Sequence, residues 1–475
     1  MNLNLLNINM SIIIRVFILF FLSQYPKLSM AQNFFKLTGN AINLEEDFLT
    51  CTIYKNWVES PSEFRLKLDK KKNFSLELPL IETAYIDINF GFKGIYLWII
   101  EPNDVINIQV DCKNFDKSLN FSGPGSSKWN YLKEQQKYFE KDKDWDLELE
   151  KLKKITKKAY FELTSYLFNE QITILDKFKT QVSDEFYSLQ RADIYGKMSN
   201  YNLKYLVAQK MFNQTEFERF ELKTFNPKIQ NKSFEVGQLI EALIDNHNML
   251  GKKYSTSILI EYESVRSYYE KYDLVDKQMI DRILAIKIVN YLDAFGINEE
   301  TKLLVASYKE FSKNKVYTNA VISRFRVLQD LVPGKEAKNF IFPDIKGNMI
   351  SLKDFRGKNI FLGFYASWCG PCLNDLTNLE IVFNYFIKDY DLQFVFVSID
   401  TPKDFEDFIK ANRVIGTHLN SNENTNFVNN YAIKGVPNYF LIDKSGTIIS
   451  EHVIGPNEDE GRALIKQIER LVYKK

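Results

Sequence analysis

Alternating hydrophobic and polar positions dominate the first quarter of the chain. The alternation or a short apolar run appears at 64–68, 74–80, 85–90, 95–100 and 105–110. A polar turn at 69–73 separates the first two of these stretches. A period of two is typical of antiparallel strands with one buried face. The pattern therefore predicts a small β-sandwich-like domain that ends at the turn-rich segment 121–127.

From about residue 128 the hydrophobic period lengthens to that of a helix. Hydrophobic residues three or four positions apart are Leu152, Ile155, Ala159, Leu163 and Tyr166. The segments 282–292 and 323–328 follow the same pattern, which favours an α-helical region. The charged stretch 148–151 is interpreted as a solvated helix face. The sequence predicts no function for this region.

After a break at 331–335 the predicted elements alternate between strand and helix. Strands are expected at 360–365, 392–399, 438–442 and 447–453, and helices at 370–389, 402–412 and 457–472. Such alternation indicates a mixed sheet flanked by helices. The complete prediction is a multidomain chain made of a signal peptide at 1–31, a β-rich domain at 32–127, an α-helical region at 128–330 and an α/β domain at 331–475.

The first 31 residues have the composition of an export signal. Arg15 precedes the apolar run 16–22, and the small-x-small pattern Ser29, Met30, Ala31 suits cleavage. The apolar run is shorter than the ~20 residues that a membrane-spanning helix needs. We therefore expect an exported protein, periplasmic or envelope-associated, while a permanent anchor and a start at Met10 stay open.

Charge and composition exclude several classes of partner and fold. The 475 residues carry 62 basic and 61 acidic side chains, so the net charge of +1 gives no bulk attraction to nucleic acid. Four cysteines are too few for a disulfide scaffold in a chain of this length. The three histidines lie far apart, and therefore no metal site is expected.

The candidate chemistry lies at 368–372, where a predicted buried strand meets a predicted helix. Cys369 and Cys372 are three positions apart and can form a disulfide within one helical turn. The unpaired N–H groups of a helix start stabilise a thiolate, which makes Cys369 the candidate nucleophile and Cys372 the resolving thiol. Pro371 is tolerated there because the first N–H groups have no helical partner.

Half of a zinc site is the competing interpretation of two cysteines at this spacing. The other two cysteines, Cys51 and Cys112, fall in a different predicted domain. The segment 434–437 directly precedes a predicted strand, the context expected of a cis-proline loop. Both observations favour thiol-disulfide chemistry over zinc.

Residues 332–475 resemble the thioredoxin-fold domain of extracytoplasmic thiol-disulfide oxidoreductases of the TlpA/ResA group. The matching segments are 342–347, 351–358, 364–372 and 435–437. The resemblance implies that Pro437 is cis and packs against the disulfide, that Val436 pairs with an extended client, and that Trp368, Gly370 and Pro371 border the site.

The same resemblance implies a cofactor-free cycle of the Cys369–Cys372 disulfide, with disulfide-containing envelope proteins as clients. Electrons would come from a membrane thiol donor of the CcdA/DsbD type. Alternatives that stay open are a disulfide oxidase or isomerase, and an envelope ligand-binding protein that uses the thioredoxin domain mainly as a scaffold.

The sequence departs from the thioredoxin pattern at the positions of a buried acid and its partner. Gly363 aligns with the buried aspartate of thioredoxins and Phe396 with its lysine partner, while Asn438 replaces the usual threonine after the proline. Asp375 lies three residues after Cys372, where the TlpA/ResA group often has glutamate. It is a candidate acceptor of the Cys372 proton, or an acid that only complements the helix dipole.

The front of the chain resembles the β domain, called DUF4369-like, that precedes such thioredoxin domains in many Bacteroidetes proteins. The matching marks are 101–104 and 121–125. This resemblance implies no chemistry. Cys51 and Cys112 are expected either to pair in this domain or to remain buried thiols.

Overall fold

The chain divides into two compact units, Met1–Leu250 and Gly251–Lys475, which are described separately. The computed structural model describes residues 33–140, 155–217, 219–220, 225–249, 262–263, 266–267, 276–386, 391–422 and 424–473. The predicted export signal at 1–31, the charged stretch 148–151 and Leu152 lie outside these residues. The domain boundaries expected at 127/128 and 330/331 stay predictions.

The first unit begins with eight strands in two four-stranded sheets. The strands are β1 (Phe34–Ile42), β2 (Phe48–Tyr54), β3 (Ser62–Lys67), β4 (Asn73–Pro79), β5 (Ala84–Phe90), β6 (Lys93–Ile100), β7 (Val105–Asp111) and β8 (Asn120–Ser122). Their orders are β4-β1-β7-β8 and β3-β2-β5-β6. Phe74 of one sheet meets Phe90 of the other, with ring centroids 6.2 Å apart. The predicted N-terminal β fold is confirmed.

Two features of these sheets differ from the expectation of antiparallel neighbours. Strands β3 and β4, which flank the polar turn 69–73, lie in different sheets. Strand β1 pairs with β7 in parallel, with Leu37 opposite Ile106. A period of two reports which face of a strand is buried, and it carries no information on the partner or its direction.

Helices complete the first unit. They are α1 (Phe115–Ser118), α2 (Ser126–Glu140), α3 (Lys157–Asp176), α4 (Asp184–Ala208), α5 (Gln214–Phe217), α6 (Pro227–Lys232) and α7 (Phe234–Met249). Helix α3 is confirmed, but Ala159 and Tyr166 of its predicted hydrophobic stripe are exposed. Tyr160, Thr164 and Leu167 are buried instead, and the Thr164 hydroxyl donates to Asn202 at 2.7 Å. A buried hydrogen-bonded threonine is invisible to a hydrophobic count.

From residue 276 onward, the described part of the second unit has three helices followed by an α/β domain. Its helices are α8 (Lys277–Phe295), α9 (Glu299–Phe311), α10 (Lys315–Gln329), α11 (Gly370–Phe386), α12 (Pro402–Ala411), α13 (Thr425–Asn430) and α14 (Arg462–Val472). Its strands are β9 (Ile341–Pro343), β10 (Met349–Ser351), β11 (Asn359–Tyr365), β12 (Leu392–Ser398), β13 (Thr417–Asn420), β14 (Asn438–Ile442) and β15 (Ile448–Ser450). Among the described residues, no helix is long and apolar enough to cross a membrane.

A five-stranded mixed sheet in the order β13-β12-β11-β14-β15 places the candidate site. Strands β11, β12 and β13 run parallel, and β14 is antiparallel to β11. Every residue of β11 is buried, because side chains on both faces of the sheet enter apolar clusters. This confirms the predicted mixed sheet and leads the chain from the central strand into α11.

Candidate active site

The two cysteines form a disulfide at the start of α11. The S–S distance is 2.14 Å and the Cα atoms are 5.2 Å apart. Both residues are almost fully buried, with Cys369 4% and Cys372 5% exposed. The backbone N–H of Cys372 points at the Cys369 Sγ at 3.1 Å. After reduction the same N–H would stabilise a Cys369 thiolate, as expected of a helix N-terminus.

The residues around the disulfide form an open rim. Trp368 is 71% exposed, and Gly370 and Pro371 are exposed as well. A Cβ atom added to Gly370 would meet nothing within 4 Å. The buried cysteine pair is therefore bordered by an accessible surface.

The loop before β14 completes the site. The Val436–Pro437 peptide bond is cis, as the resemblance implies. The Val436 carbonyl oxygen lies 3.3 Å from the Cys369 Sγ, although the two residues are 67 positions apart in sequence. The fold thus brings the cis-proline loop onto the disulfide.

Asp375 lies one helical turn after Cys372 and is 3% exposed. Its Oδ2 accepts a hydrogen bond of 2.5 Å from the Tyr439 hydroxyl. Burial raises the pKa of Asp375, and the Tyr439 hydrogen bond partly opposes that rise. Asp375 is therefore a buried, hydrogen-bonded acid, and its role as proton acceptor stays a prediction.

Aromatic rings fill the space where thioredoxins bury an aspartate. Gly363 of β11 pairs with Phe396 of β12 on one side and Tyr439 of β14 on the other. A Cβ atom at Gly363 would lie 2.7 Å from the Phe396 ring and 3.1 Å from the Tyr439 ring. Glycine at this position is thus required by the two rings.

Sequence reasoning missed Tyr439. It lies two positions after Pro437, and alternate residues of a strand share a face. That spacing was the available signal, because it places Tyr439 on the proline's side of β14.

A second missed acid, Asp400, holds the loop that carries Trp368 and Cys369. Its carboxylate accepts hydrogen bonds from the Ser367 N–H at 2.9 and 3.0 Å, from the Ser367 hydroxyl at 3.0 Å and from the Ser398 hydroxyl at 2.7 Å. Burial raises the pKa of Asp400, and these hydrogen bonds oppose the rise. Its position just after β12, the parallel neighbour of β11, was the only signal in the sequence.

His418 is a half-buried neighbour of the site. Its Nε2 donates to the Ile415 carbonyl at 2.9 Å, which leaves Nδ1 to accept from the Tyr365 hydroxyl at 2.9 Å. Burial lowers the pKa of His418 to about 4, opposed by the backbone hydrogen bond. With Cys372 and Tyr439 it lines a small cavity of about 20 Å³.

The remaining cysteines lie in the first unit and are both free thiols. Cys51 is buried on β2, and burial raises its pKa to about 12. Cys112 is half-buried, and its pKa is also raised by burial. Within the described parts of the chain, no three His, Cys, Asp or Glu side chains cluster as a metal site requires.

Comparison with known proteins places the second unit in a family. The sequence model of the AhpC/TSA family matches residues 333–451. The thiol-disulfide oxidoreductase ResA of a Bacillus cereus strain is 34% identical over 149 residues, which cover 27% of this chain and 72% of that protein. ResA of Halalkalibacterium halodurans is 26% identical over 141 residues, covering 28% of this chain and 77% of that protein.

Among solved structures, the thioredoxin domain of a thiol-disulfide oxidoreductase from Bacteroides vulgatus is 27% identical, covers 30% of this chain and 99% of that chain, and has a TM-score of 0.27. The part of the chain that is similar to ResA contains the Cys369–Cys372 disulfide, the cis-proline loop and the mixed sheet. Through that domain, the chain belongs to the ResA-type thiol-disulfide oxidoreductases.

Proposed function

We propose that the protein is exported and reduces disulfide bonds of client proteins in the cell envelope. The observation that carries the proposal is the position of Cys369, whose Sγ lies 3.3 Å from the Val436 carbonyl at an open rim. A client segment that pairs as an extended strand with the Val436 backbone would bring its disulfide onto that sulfur. Residues 1–31 support export through their signal-like composition.

The exchange uses the two cysteines as its redox groups and needs no bound cofactor. The Cys369 thiolate attacks one client sulfur, which forms a mixed disulfide and releases the other client sulfur as a thiolate. The Cys372 thiolate then attacks the Cys369 Sγ, which releases the second client thiolate and forms the Cys369–Cys372 disulfide. The client gains two electrons and, after protonation, two protons. A membrane thiol donor of the CcdA/DsbD type returns two electrons to the pair.

Asp375 is proposed to take the proton of Cys372 before the second attack. The carboxyl group is buried one turn from that thiol, and burial raises its pKa toward the range in which it can accept and return a proton. Tyr439 holds the carboxyl group through the 2.5 Å hydrogen bond and is a positioning residue.

Reduction is the proposed direction because Gly370 and Pro371 stand between the cysteines, as in thioredoxin. Thioredoxin has a potential of about −270 mV, whereas the oxidant DsbA lies at about −120 mV. A disulfide oxidase or isomerase is the alternative for the same site. The front of the first unit is proposed to be a DUF4369-like domain, on the marks at 101–104 and 121–125.

The test combines the reduction potential with client trapping. We expect the Cys369–Cys372 pair to equilibrate at or below about −250 mV in thiol buffers of defined poise. We also expect a Cys372→Ser variant to accumulate mixed disulfides with envelope proteins, since Cys369 attacks and nothing resolves the product. Cys369→Ser should trap none, and Cys112→Ser, which removes a thiol of the first unit, should behave like the unchanged chain.

A potential above about −180 mV would overturn the reductase direction and favour oxidation or isomerisation. Absence of trapped envelope proteins, with Cys372→Ser still reacting with a model disulfide, would overturn the envelope clients while leaving the exchange chemistry in place. A pair that does not cycle at all would remove the proposed function.

A further inference from the structure

We propose that the first unit contains a binding site for a small organic cation, a guanidinium or primary ammonium group on an aliphatic chain. The site is a cavity of about 330 Å³ between strands β5 and β6 and helices α2, α3, α4 and α7. Cavities of about 300 Å³ and more are of the size that holds small molecules. This inference is independent of the thiol chemistry in the second unit.

Unsatisfied hydrogen-bond acceptors line the cavity. Gln190 of α4 is 6% exposed, and its buried Oε1 has no hydrogen-bond partner. A buried amide oxygen without a donor is destabilising, so a ligand that supplies an N–H would be favoured. No hydrogen bond from a described residue reaches the carboxyl group of Glu235, which also lines the cavity. The Gln190 Oε1 and the ionised Glu235 carboxylate can each accept a hydrogen bond from a ligand.

The charges at the cavity favour a positive ligand. The acidic and basic residues of its lining are Asp193, Glu235 and Lys197, which carry an excess of one negative charge when all three are ionised. Asp193 is fixed, since it accepts hydrogen bonds from the Tyr85 hydroxyl at 2.8 Å and the Ser233 hydroxyl at 2.5 Å. Glu235 is left as the acid that can respond to a ligand.

The ionisation of Glu235 is suited to that response. Burial raises its pKa to about 7, the charge of Asp193 adds to the rise, and Lys197 and Lys204 oppose it. A cation next to Glu235 would favour the ionised form and expel the proton. Binding should therefore strengthen as the pH rises through about 7.

One wall of the cavity is aromatic and is placed by an irregular strand. Leu97 has a left-handed backbone, with φ of 55°, and its N–H donates to the Asp87 carboxylate at 2.6 Å. The β5–β6 register shifts at this point, which marks a bulge. Tyr96 lies next to the bulge with its ring over Gly94, where an added Cβ would come within 2.5 Å of it. Bulges and strained bulky residues concentrate at functional sites because they redirect side chains.

Aromatic faces attract cations, which completes the match of ligand to cavity. Tyr85, Tyr96, Trp98 and Phe234 supply rings, and Glu235 and Gln190 supply acceptors. An organic cation combines N–H donors, positive charge and an aliphatic stem that these surfaces can cover. A polyhydroxylated molecule would supply hydrogen-bond donors but would not neutralise the excess negative charge of the cavity.

The experiment is isothermal titration of the full chain with n-butylguanidinium and n-butylammonium. The matched neutral control is n-butylurea, which has the shape of the guanidinium without its charge. We expect n-butylurea to bind at least about tenfold more weakly than n-butylguanidinium, since it loses a charge-assisted hydrogen bond. N-acetylarginine amide in a further arm would show whether an arginine side chain of a peptide can serve as the source of the group.

Variants on α7 locate the ligand. Glu235→Gln should weaken n-butylguanidinium about tenfold and abolish the strengthening with pH, whereas Glu241→Gln on the same helix should change neither. Tyr96→Ala, a half-exposed position, should weaken the probe several-fold without altering the pH response. Thermal unfolding checks that each variant is folded.

Equal affinity for n-butylurea, or an unchanged affinity in Glu235→Gln, would overturn the proposal. So would binding of D-glucose in the absence of binding by either cation, because that result assigns the cavity to neutral polyols. A folded chain that binds none of the probes would also overturn it.

Discussion

At the active site, the Tyr439 hydroxyl donates a hydrogen bond to Asp375 that opposes the effect of burial on the pKa of that acid. The bond stabilises the ionised carboxylate, so it lowers a pKa that burial raises. Replacing Tyr439 by Phe keeps the ring that packs on Gly363 and Phe361 but removes the donor. The pKa of Asp375 should then rise further, and a larger fraction of the acid should be protonated at neutral pH.

If Asp375 accepts the Cys372 proton, Tyr439→Phe should slow the resolution of a mixed disulfide several-fold at neutral pH and shift its pH profile upward. Asp375→Asn should slow the resolution of the mixed disulfide about tenfold or more and remove the contribution of the Asp375 titration to the pH profile. The measurement is stopped-flow resolution of a mixed disulfide preformed on Cys369, across a pH series.

The control for this pair is Tyr385, an exposed tyrosine that donates to Glu469 at 2.8 Å. Tyr385→Phe should leave the rate and the profile unchanged. An unaltered profile in both Tyr439→Phe and Asp375→Asn would show that another group receives the proton.

Residue identity alone predicted part of this site. The spacing of Cys369 and Cys372 and the proline at 437 were sufficient to identify the disulfide and its loop, because both depend on local sequence. The replacement of a buried Asp by Gly363 was also visible. The side chains that fill the space beside Gly363 could not be predicted, because they depend on the register of β11 against β12 and β14. A slip of one residue would turn Phe396 and Tyr439 to the other face of the sheet.

Among the secondary-structure elements, helices α8 and α10 brace the loop that leads to the cis-proline. Asp293 of α8 forms ion pairs with Arg324 of α10 and, at 3.2 Å, with Lys434. The Arg324 guanidinium also donates to the Ala432 carbonyl at 3.1 Å, where the backbone is left-handed with φ of 54°. The loop residues Ala432 and Lys434 are thus tied to two helices just before Val436.

Arg324→Met should loosen this loop. Asp293 and Arg324 have side chains only 18% and 15% exposed, so removing the guanidinium leaves a largely buried carboxylate with one partner fewer. We expect faster hydrogen exchange at 432–436 and a several-fold lower kcat/KM for a protein disulfide.

The matched control is Lys338→Met, which breaks an exposed ion pair with Asp330. Exposed pairs contribute about 0 to 1 kcal/mol, and this variant should leave hydrogen exchange at 432–436 unchanged. Equal exchange in Arg324→Met and the unchanged chain would show that the helices do not hold the loop.

Periodicity predicted most elements and few of their partners. Strands β3 to β7 and helices α8 and α10 follow from local patterns, since burial of one face imposes a period of two or 3.6. Strands β1, β2 and β8 were not predicted individually. The parallel pairing of β1 with β7 and the short elements β13 and α13 were not predicted. Pairing joins residues such as Leu37 and Ile106 that are distant in sequence, and short elements contain too few residues to show a period.

For the whole molecule, the two units contain partly buried groups whose pKa values move in opposite directions. Glu235 in Met1–Leu250 has its pKa raised by burial from 4.5 to about 7. His418 in Gly251–Lys475 has its pKa lowered by burial from 6.5 to about 4. Two such units need not unfold in one transition, so their stabilities can be followed separately.

The sign of each contribution follows from proton binding. Between about pH 5 and 7 the folded first unit holds the Glu235 proton more tightly than the unfolded chain does, so this group stabilises the unit as the pH falls. The folded second unit holds the His418 proton less tightly, so stability is lost as the pH falls through the same range. From about pH 7 to about pH 5, Glu235 should contribute a gain and His418 a loss of about 2 kcal/mol each.

Urea unfolding at the two pH values, followed by hydrogen-exchange mass spectrometry of peptides from each unit, measures these changes. Glu235→Gln should remove the gain in stability that the first unit shows at pH 5, and leave the second unit unchanged. His418→Gln should remove the loss in stability that the second unit shows at pH 5, and leave the first unit unchanged. The difference between variant and unchanged chain is the decisive quantity, because Asp104 in the first unit and Asp375 and Asp400 in the second also have raised pKa values. If neither substitution alters the pH dependence of its own unit, these two partly buried groups are not the ones that couple folding to protons.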